Sequence, residues 1–273
     1  MQIWSNTKTL DGYLPELSFT TDKTAAEVAL VGGKAIDLQE FPRLRGLFKT
    51  GVGRDNVPEA EARARGVACA FPSAATCEII YEETANFTCH LILRSLYADV
   101  GDFAGWTKLD RVALSRRELL VLGTGNIGSR VAAKMASFMR VTSFDILRNE
   151  PDELEALMNR ADCVTLHIPM NSATRGFIDA EKLRSMKDGA VLVNTARGAV
   201  VVEDALYQEL AAGRLRAAFD VFWQEPYKGK LLALPSDRLL VSPHVASTCR
   251  EFIVGTADDF VSFLGSLETG SLG

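Results

Sequence analysis

The sequence holds few cysteines and no pattern among them. Cys69, Cys77, Cys89, Cys163 and Cys249 are scattered, odd in number and form no CxxC. That argues against a disulfide framework and against a zinc ribbon, and fits reduced thiols in a cytoplasmic protein. No apolar stretch approaches the ~18 residues that span a bilayer, so no membrane partner is expected. The opening MQIWSNTKTLDGY has no basic flank leading into an apolar run, so no secretory leader is expected. No basic stripe occurs either. Lys and Arg total 30 against 35 Asp and Glu, a net charge of −5, which makes nucleic acid an unexpected partner. There are only three histidines, and no metal site is expected. Internal repeats and low-complexity tracts are also absent. What remains is 273 residues, 47% apolar and 24% charged. That composition excludes disorder, collagen-like repeats and coiled coils, and the length suits one large domain or two modest ones.

The second half has a clear rhythm. ELLVL (118–122), RVTSF (140–144), DCVTL (162–166), GAVLV (189–193), LRAAF (215–219) and RLLVS (238–242) read as strands. Helical patterns fall between them near 126–139, 152–160, 179–187 and 203–212. The strands are runs of leucine and β-branched residues without polar alternation, which predicts burial on both faces. Strand–helix alternation predicts a parallel, doubly wound sheet. The first half repeats this more weakly, with strand candidates at 27–32, 44–51 and 65–72 and a helix near 57–65. A longer helix is predicted from about Glu78 to Leu96, as a bridge between two α/β domains, followed by the glycine-containing break ADVGDFAGW.

Gly123-Thr124-Gly125-Asn126-Ile127-Gly128 follows a predicted strand and opens a predicted helix. In that context the first glycine permits a tight turn, the second lets a diphosphate approach the backbone, and the third lets helix and strand pack closely. The free N–H groups of Asn126 and Ile127 at the helix start would hold the diphosphate, helped by the helix dipole. The plain alternative is a glycine turn without a ligand. Asp145 ends the next strand, 17 residues after Gly128. A carboxylate there accepts from an adenosine ribose and repels a 2′-phosphate, which favours NAD over NADP. Arg148 works against that preference, and the plain alternative for Asp145 alone is a strand-end or helix-cap carboxylate.

Polar residues gather at later strand ends. Arg197 follows AVLVN in NTARG, Asp220 opens DVFWQEP with Glu225 beyond it, and His244 follows LLVSP. In an open parallel sheet ligands bind outside the carboxyl ends of the strands, so these residues should converge on the dinucleotide rim. Each has a bland alternative: Arg197 capping a loop, Glu225 solvated before Pro226, His244 satisfied beside a proline turn. His167, Pro169 and Thr195 lie on the same rim and are read as cofactor-side residues, with structural packing as the alternative for His167. His90, within the long apolar helix, reads as a packing histidine.

Taken together, GTGNIG, TLHIPMNSATRGFID, MKDGAVLVNTARGAVVVEDAL, GRLRAAFDVFWQEP and SPHVAST resemble the D-isomer-specific 2-hydroxyacid dehydrogenase family, including its phosphoglycerate and glycerate dehydrogenases. GVGRDNV and the helix containing Glu83 match as well, so the resemblance covers about Leu44 to Thr248. It implies a Rossmann domain over 97–244 and a smaller flavodoxin-like α/β substrate domain over 1–96 and 245–273. It further implies Arg197, Glu225 and His244 as a catalytic trio, with Arg197 binding the substrate carboxylate and Glu225 orienting His244 and favouring its charged form. Asp220 would hold the nicotinamide carboxamide, and the backbone amides of Val52 and Gly53 the carboxylate. NAD is the implied cofactor, a small D-2-hydroxy acid or its 2-oxo acid the implied substrate, and a homodimer the implied assembly. Residues 97–114 with Trp106 would extend onto the partner, or else cover the protein's own core. Screening the substrate from water implies closure of the two domains.

Two departures stand out. Few residues separate Asp145 from the helix at ELEAL, where relatives carry a longer strand-containing excursion. The region before Leu44 is also short, which implies a pared-down small domain. Lys49 and Arg54 flank the carboxylate loop and are either phosphate receivers, as for 3-phosphoglycerate, or solvated surface charges. A different class also fits the resemblance: an NAD(H)-sensing interaction protein of the corepressor type, since fold does not fix function.

Overall fold

The computed structural model describes residues 1–270; the last three residues of the expected 245–273 segment lie outside the described residues. The chain divides into two compact units, one of Met1–Ile80 with the segment from Ser247 onward, the other Tyr81–Ala246.

In the first unit β1 (Ile3–Ser5), β2 (Val28–Val31), β3 (Gly46–Lys49) and β4 (Ala68–Ala70) form a four-stranded sheet in that order. All its pairings are parallel. Helix α1 (Glu59–Ala64) precedes β4. The core strands β2 and β3 are buried throughout, as their unalternated VALV and GLFK require. Beyond β1 the sheet goes one step further, because Phe19 makes a single parallel bridge with Ile3. Counting that bridge, the spatial order becomes 2-1-3-4-5, the flavodoxin-like order. The segment between Ser5 and Phe19 holds no helix, so the domain is pared down at its first βα step.

Helix α2 (Ala74–Leu96) begins four residues before its predicted start, and the division between the units falls within it. Next comes an antiparallel hairpin of β5 (Gly101–Asp102) and β6 (Thr107–Lys108), inside the stretch expected to be a break. Its Phe103 and Trp106 are 85% and 76% exposed. They therefore do not cover the protein's own core.

The second unit is built on β7 (Glu118–Leu122), β8 (Arg140–Phe144), β9 (Cys163–Leu166), β10 (Val191–Asn194), β11 (Arg216–Phe219) and β12 (Leu239–Val241). Four helices connect them: α3 (Asn126–Met135), α4 (Glu153–Arg160), α5 (Ala180–Ser185) and α6 (Glu203–Ala211). The six strands run parallel in the order β12-β11-β10-β9-β7-β8. The order reverses between β7 and β9, which defines the switch point of a doubly wound sheet. No further strand lies outside β8 among the described residues, in line with the short segment after Asp145. Leu120, Leu122, Val164, Leu166, Leu192 and Phe219 pack on one face of the sheet against α4, α5 and α6. Leu119, Val121, Val191, Val193 and Ala218 pack on the other against Val131 and Met135 of α3 and Ile92 of α2. Full burial of each such side chain is worth about 1.5–3 kcal/mol, so both faces of the sheet hold their helices by apolar contact.

Helix α7 (Arg250–Thr269) returns the chain to the first unit. Cys249 caps it, its Sγ accepting from Phe252 N–H at 3.4 Å. Phe260 and Phe263 lie 5.3 and 5.8 Å from the Phe48 ring of β3.

Candidate active site

The glycine loop leaves β7 at the switch point. Gly123 has φ +96°, and Gly125 caps α3. A Cβ on Gly128 would stand 2.0 Å from the Gly123 carbonyl oxygen, so only glycine lets α3 start this close to the loop. A Cβ on Gly125 would instead meet nothing within 4 Å. The space above the second glycine is open, where a diphosphate would approach the backbone and the N–H groups of Asn126 and Ile127. These residues fit a dinucleotide. Asp145 follows β8 and turns back onto the loop: its Oδ2 accepts from Thr124 N–H at 3.0 Å and from Thr124 Oγ1 at 2.6 Å. Its Oδ1 accepts from Leu147 N–H at 3.0 Å. The Thr124 hydroxyl, followed by these backbone donors, holds the Asp145 carboxyl below its ordinary value.

His167 follows β9 beside this loop. Its Nε2 lies 3.1 Å from Thr165 Oγ1, and burial pushes its pKa down to about 3. The ring is neutral at physiological pH and is no proton donor there. Pro169 is exposed two residues further, and its carbonyl accepts from Thr174 Oγ1 at 2.6 Å. Thr195 is buried, with its hydroxyl 2.8 Å from that of Thr88 on α2. His90 is exposed on α2 with its ring 5.9 Å from Phe87. This corrects the expectation of a packing histidine: the apolar run around it winds around the helix, and His90 lies on the outer side.

Arg197 follows β10 in a turn bracketed by buried Asn194. The Asn194 Nδ2 donates to the Arg197 carbonyl at 2.9 Å, and its Oδ1 accepts from Ala196 N–H at 3.0 Å. The Arg197 side chain is half-buried and donates to the Ala196 carbonyl at 2.8 Å. The next residue, Gly198, lies against the chain that carries Glu225. A Cβ there would stand 2.2 Å from the Phe222 carbonyl carbon and 2.5 Å from Trp223 N. Trp223 closes the same contact, its indole N–H donating to the Val201 carbonyl at 2.7 Å.

Glu225 and His244 meet directly. His244 Nδ1 lies 2.7 Å from Glu225 Oε2, while Oε1 accepts from Phe222 N–H at 3.1 Å. Burial acts to raise the Glu225 carboxyl. The His244 hydrogen bond and charge, the Phe222 N–H and the Arg197 charge outweigh it, leaving the group below its ordinary value. His244 has φ +56°, a left-handed conformation uncommon for a non-glycine residue. Asp220 holds that turn in place. Fully buried, it accepts from Ser242 Oγ at 2.6 Å and from the N–H groups of Val245 and Ala246 at 2.9 Å each. Its own carbonyl accepts from His244 N–H at 2.8 Å. A carboxylate has about four acceptor positions, and three of these are taken. Asn194, Gly198, Trp223 and Ser242 were not singled out in the sequence. Their only signal is adjacency to Arg197, Glu225 and His244.

In the first unit, the loop after β3 carries Val52 and Gly53. Lys49 is buried and its Nζ donates to the Gly32 carbonyl at 2.5 Å. Arg54 pairs with Glu59 at 2.9 Å and lies 3.8 Å over the Phe71 ring.

Comparison with known proteins agrees with this architecture. The sequence pattern of the D-isomer specific 2-hydroxyacid dehydrogenase NAD binding domain matches residues 97–246. A hydroxypyruvate reductase of Thermotoga maritima is 30% identical over 255 residues, covering 87% of this chain and 80% of its own. A glyoxylate reductase of Korarchaeum cryptofilum is 32% identical over 257 residues, covering 86% of this chain and 74% of its own. Among solved structures, a D-lactate dehydrogenase of Aquifex aeolicus complexed with NAD and lactic acid superposes with a TM-score of 0.83 at 25% identity, covering 100% of this chain and 96% of the other. The chain belongs to the D-isomer specific 2-hydroxyacid dehydrogenase family and is an NAD(P)-dependent oxidoreductase of that family. Among the described residues no helix is long and apolar enough to cross a membrane.

Proposed function

We propose that the chain interconverts a small, unphosphorylated 2-oxo acid of the glyoxylate or hydroxypyruvate type and the corresponding D-2-hydroxy acid, with NAD(H) as cofactor. The observation that carries this reading is the 2.7 Å pair of His244 and Glu225, beside Arg197 at the carboxyl ends of β10 to β12. With Glu225 held ionised, the histidine hydrogen sits on Nδ1 and points at Oε2. That leaves Nε2 as the atom that exchanges a proton with substrate. In reduction protonated His244 donates from Nε2 to the carbonyl oxygen; in oxidation neutral His244 takes the proton from the hydroxyl. Arg197 forms the forked pair with the substrate carboxylate. The Gly123–Gly128 loop holds the dinucleotide diphosphate, Asp145 the adenosine ribose, and His167, Pro169, Thr195 and Asp220 line the cofactor side. When bound, the nicotinamide supplies the hydride in reduction and receives it in oxidation.

Lys49 and Arg54 support the unphosphorylated class. One is turned inward onto a backbone carbonyl, the other committed to Glu59 and Phe71. The two reductases described above carry hydroxypyruvate and glyoxylate in their names. A homodimer belongs to the same proposal, supported by the exposed Phe103 and Trp106 of the β5–β6 hairpin.

The test is a panel of glyoxylate, hydroxypyruvate, pyruvate and phosphohydroxypyruvate with NADH and NADPH, run on the wild type and His244→Ala. NADH consumption with the small acids is expected, and His244→Ala should lower turnover about 10²–10⁴-fold, the scale of a positioned acid–base group, while still binding NADH. A preference for the phosphorylated acid would overturn the substrate class. NADH binding without consumption of any acid would favour the NAD(H)-sensing alternative.

A further inference from the structure

We propose that Thr124, the first variable position of the glycine loop, is a specificity-determining positioning residue that holds the Asp145 carboxylate on the loop and thereby sets the preference against a 2′-phosphorylated cofactor. This rests on the reading of Asp145 as the ribose-binding carboxylate. Thr124 reaches Asp145 twice, through its hydroxyl at 2.6 Å and its amide at 3.0 Å, and both bonds end on Oδ2. Leu147 N–H takes one position on Oδ1. Of about four acceptor positions on a carboxylate, one on Oδ1 remains for a ribose hydroxyl.

The backbone on either side is equally constrained. Asp145 N–H donates to Asn149 Oδ1 at 2.9 Å, and the Asp145 carbonyl accepts from the N–H groups of Arg148 and Asn149 at 2.9 Å each. The side-chain torsion is thus the one freedom by which the carboxylate could leave, and Thr124 closes it on Oδ2 as Leu147 N–H does on Oδ1. The charge opposite in sense lies three residues on. Arg148 is exposed, and its charge adds a small favourable effect on the ionised Asp145. An Asp145 that swings away would leave Arg148 to receive a 2′-phosphate, whereas an Asp145 fixed on the loop repels it. Thr124 therefore decides between two neighbouring charges, although it has no charge itself.

The experiment is fluorescence titration of NADH and NADPH, without substrate, against the wild type, Thr124→Val, Thr124→Ser and Asp145→Ala. Valine keeps the size and the amide but removes the hydroxyl; serine keeps the hydroxyl. The ratio of NADPH to NADH dissociation constants should fall about tenfold in Thr124→Val, the scale of one hydrogen bond to a charged group, and return close to wild type in Thr124→Ser. The acid limb of NADH binding should move to higher pH in Thr124→Val, because the carboxylate loses the donor that most favours its ionised form. Equal weakening of both cofactors in Thr124→Val would reduce Thr124 to a loop-packing residue and overturn the proposal. An unchanged ratio in Thr124→Val with a changed one in Asp145→Ala would overturn it while leaving the Asp145 reading intact. An unchanged ratio in both would overturn the Asp145 reading as well.

Discussion

Glu225 binds the His244 ring and the chain leading to itself with its two separate oxygens. Oε2 meets His244 Nδ1 at 2.7 Å, and Oε1 accepts from Phe222 N–H at 3.1 Å. The carboxylate is therefore fixed before it fixes the histidine, and its ionised form is favoured on both sides.

That arrangement has a pH signature. The Glu225 carboxyl lies below its ordinary 4.5 in the folded protein, so its contribution to stability is present above about pH 4.5 and is lost as pH falls through the lower folded value. Glu225→Gln should thus melt below wild type at pH 7, and the gap should narrow as pH drops under 4.5. In steady-state assays the same variant should lose kcat more than it gains in KM. A melting gap that is constant from pH 7 to pH 3 would contradict the pairing.

Gly198 joins the loop of Arg197 to the loop of Glu225 by backbone contact. In Gly198→Ala the added methyl would meet Phe222 and Trp223 backbone atoms at 2.2 and 2.5 Å, which no rotamer relieves. The expected cost is about 1–3 kcal/mol, the usual range for overpacking, read from urea denaturation. Turnover should fall with it, because the displaced chain carries Glu225. Wild-type stability and turnover in this variant would mean that the two loops move independently.

Asp220 sits beneath the left-handed turn of His244 and receives three donors there. Asp220→Asn turns one acceptor oxygen into a donor that faces another donor. A buried unsatisfied group costs about 1–3 kcal/mol, and the turn should loosen. Amide hydrogen exchange at Val245 and Ala246 should accelerate, and kcat should drop while NADH titration still reports binding. Unchanged exchange at those two amides would show that the turn holds without the carboxylate.

Much of the second unit could be read from residue order. ELLVL, CVTL and VLVN are mainly apolar runs without polar alternation, and strands buried on both faces need that composition. GTGNIG between a strand and a helix announced its own geometry, because a Cβ at Gly128 has nowhere to go. Helix α7 is also legible in the pattern, with Phe252, Phe260, Phe263, Leu264 and Leu267 at helical spacing. Strand β1 is less legible: three residues, IWS, of which only Ile3 is buried, form a strand only because β2 lies beside them. The hairpin of β5 and β6 likewise lay hidden in a stretch that reads as a glycine break. The outward side of His90 is not legible, because residue composition around a helix does not say which side faces out.

Sequence by itself determined the class of fold, the order of its elements and the residue types available for chemistry, because alternation of apolar runs and glycine spacing are local properties of a chain. Tertiary structure alone decided which polar atoms meet. Glu225 and His244 are 19 residues apart, Thr124 and Asp145 are 21, and Asp220 lies 22 residues before Ser242. A parallel sheet brings the ends of separate strands to one edge, and hydrogen bonds form only between atoms held there at about 3 Å.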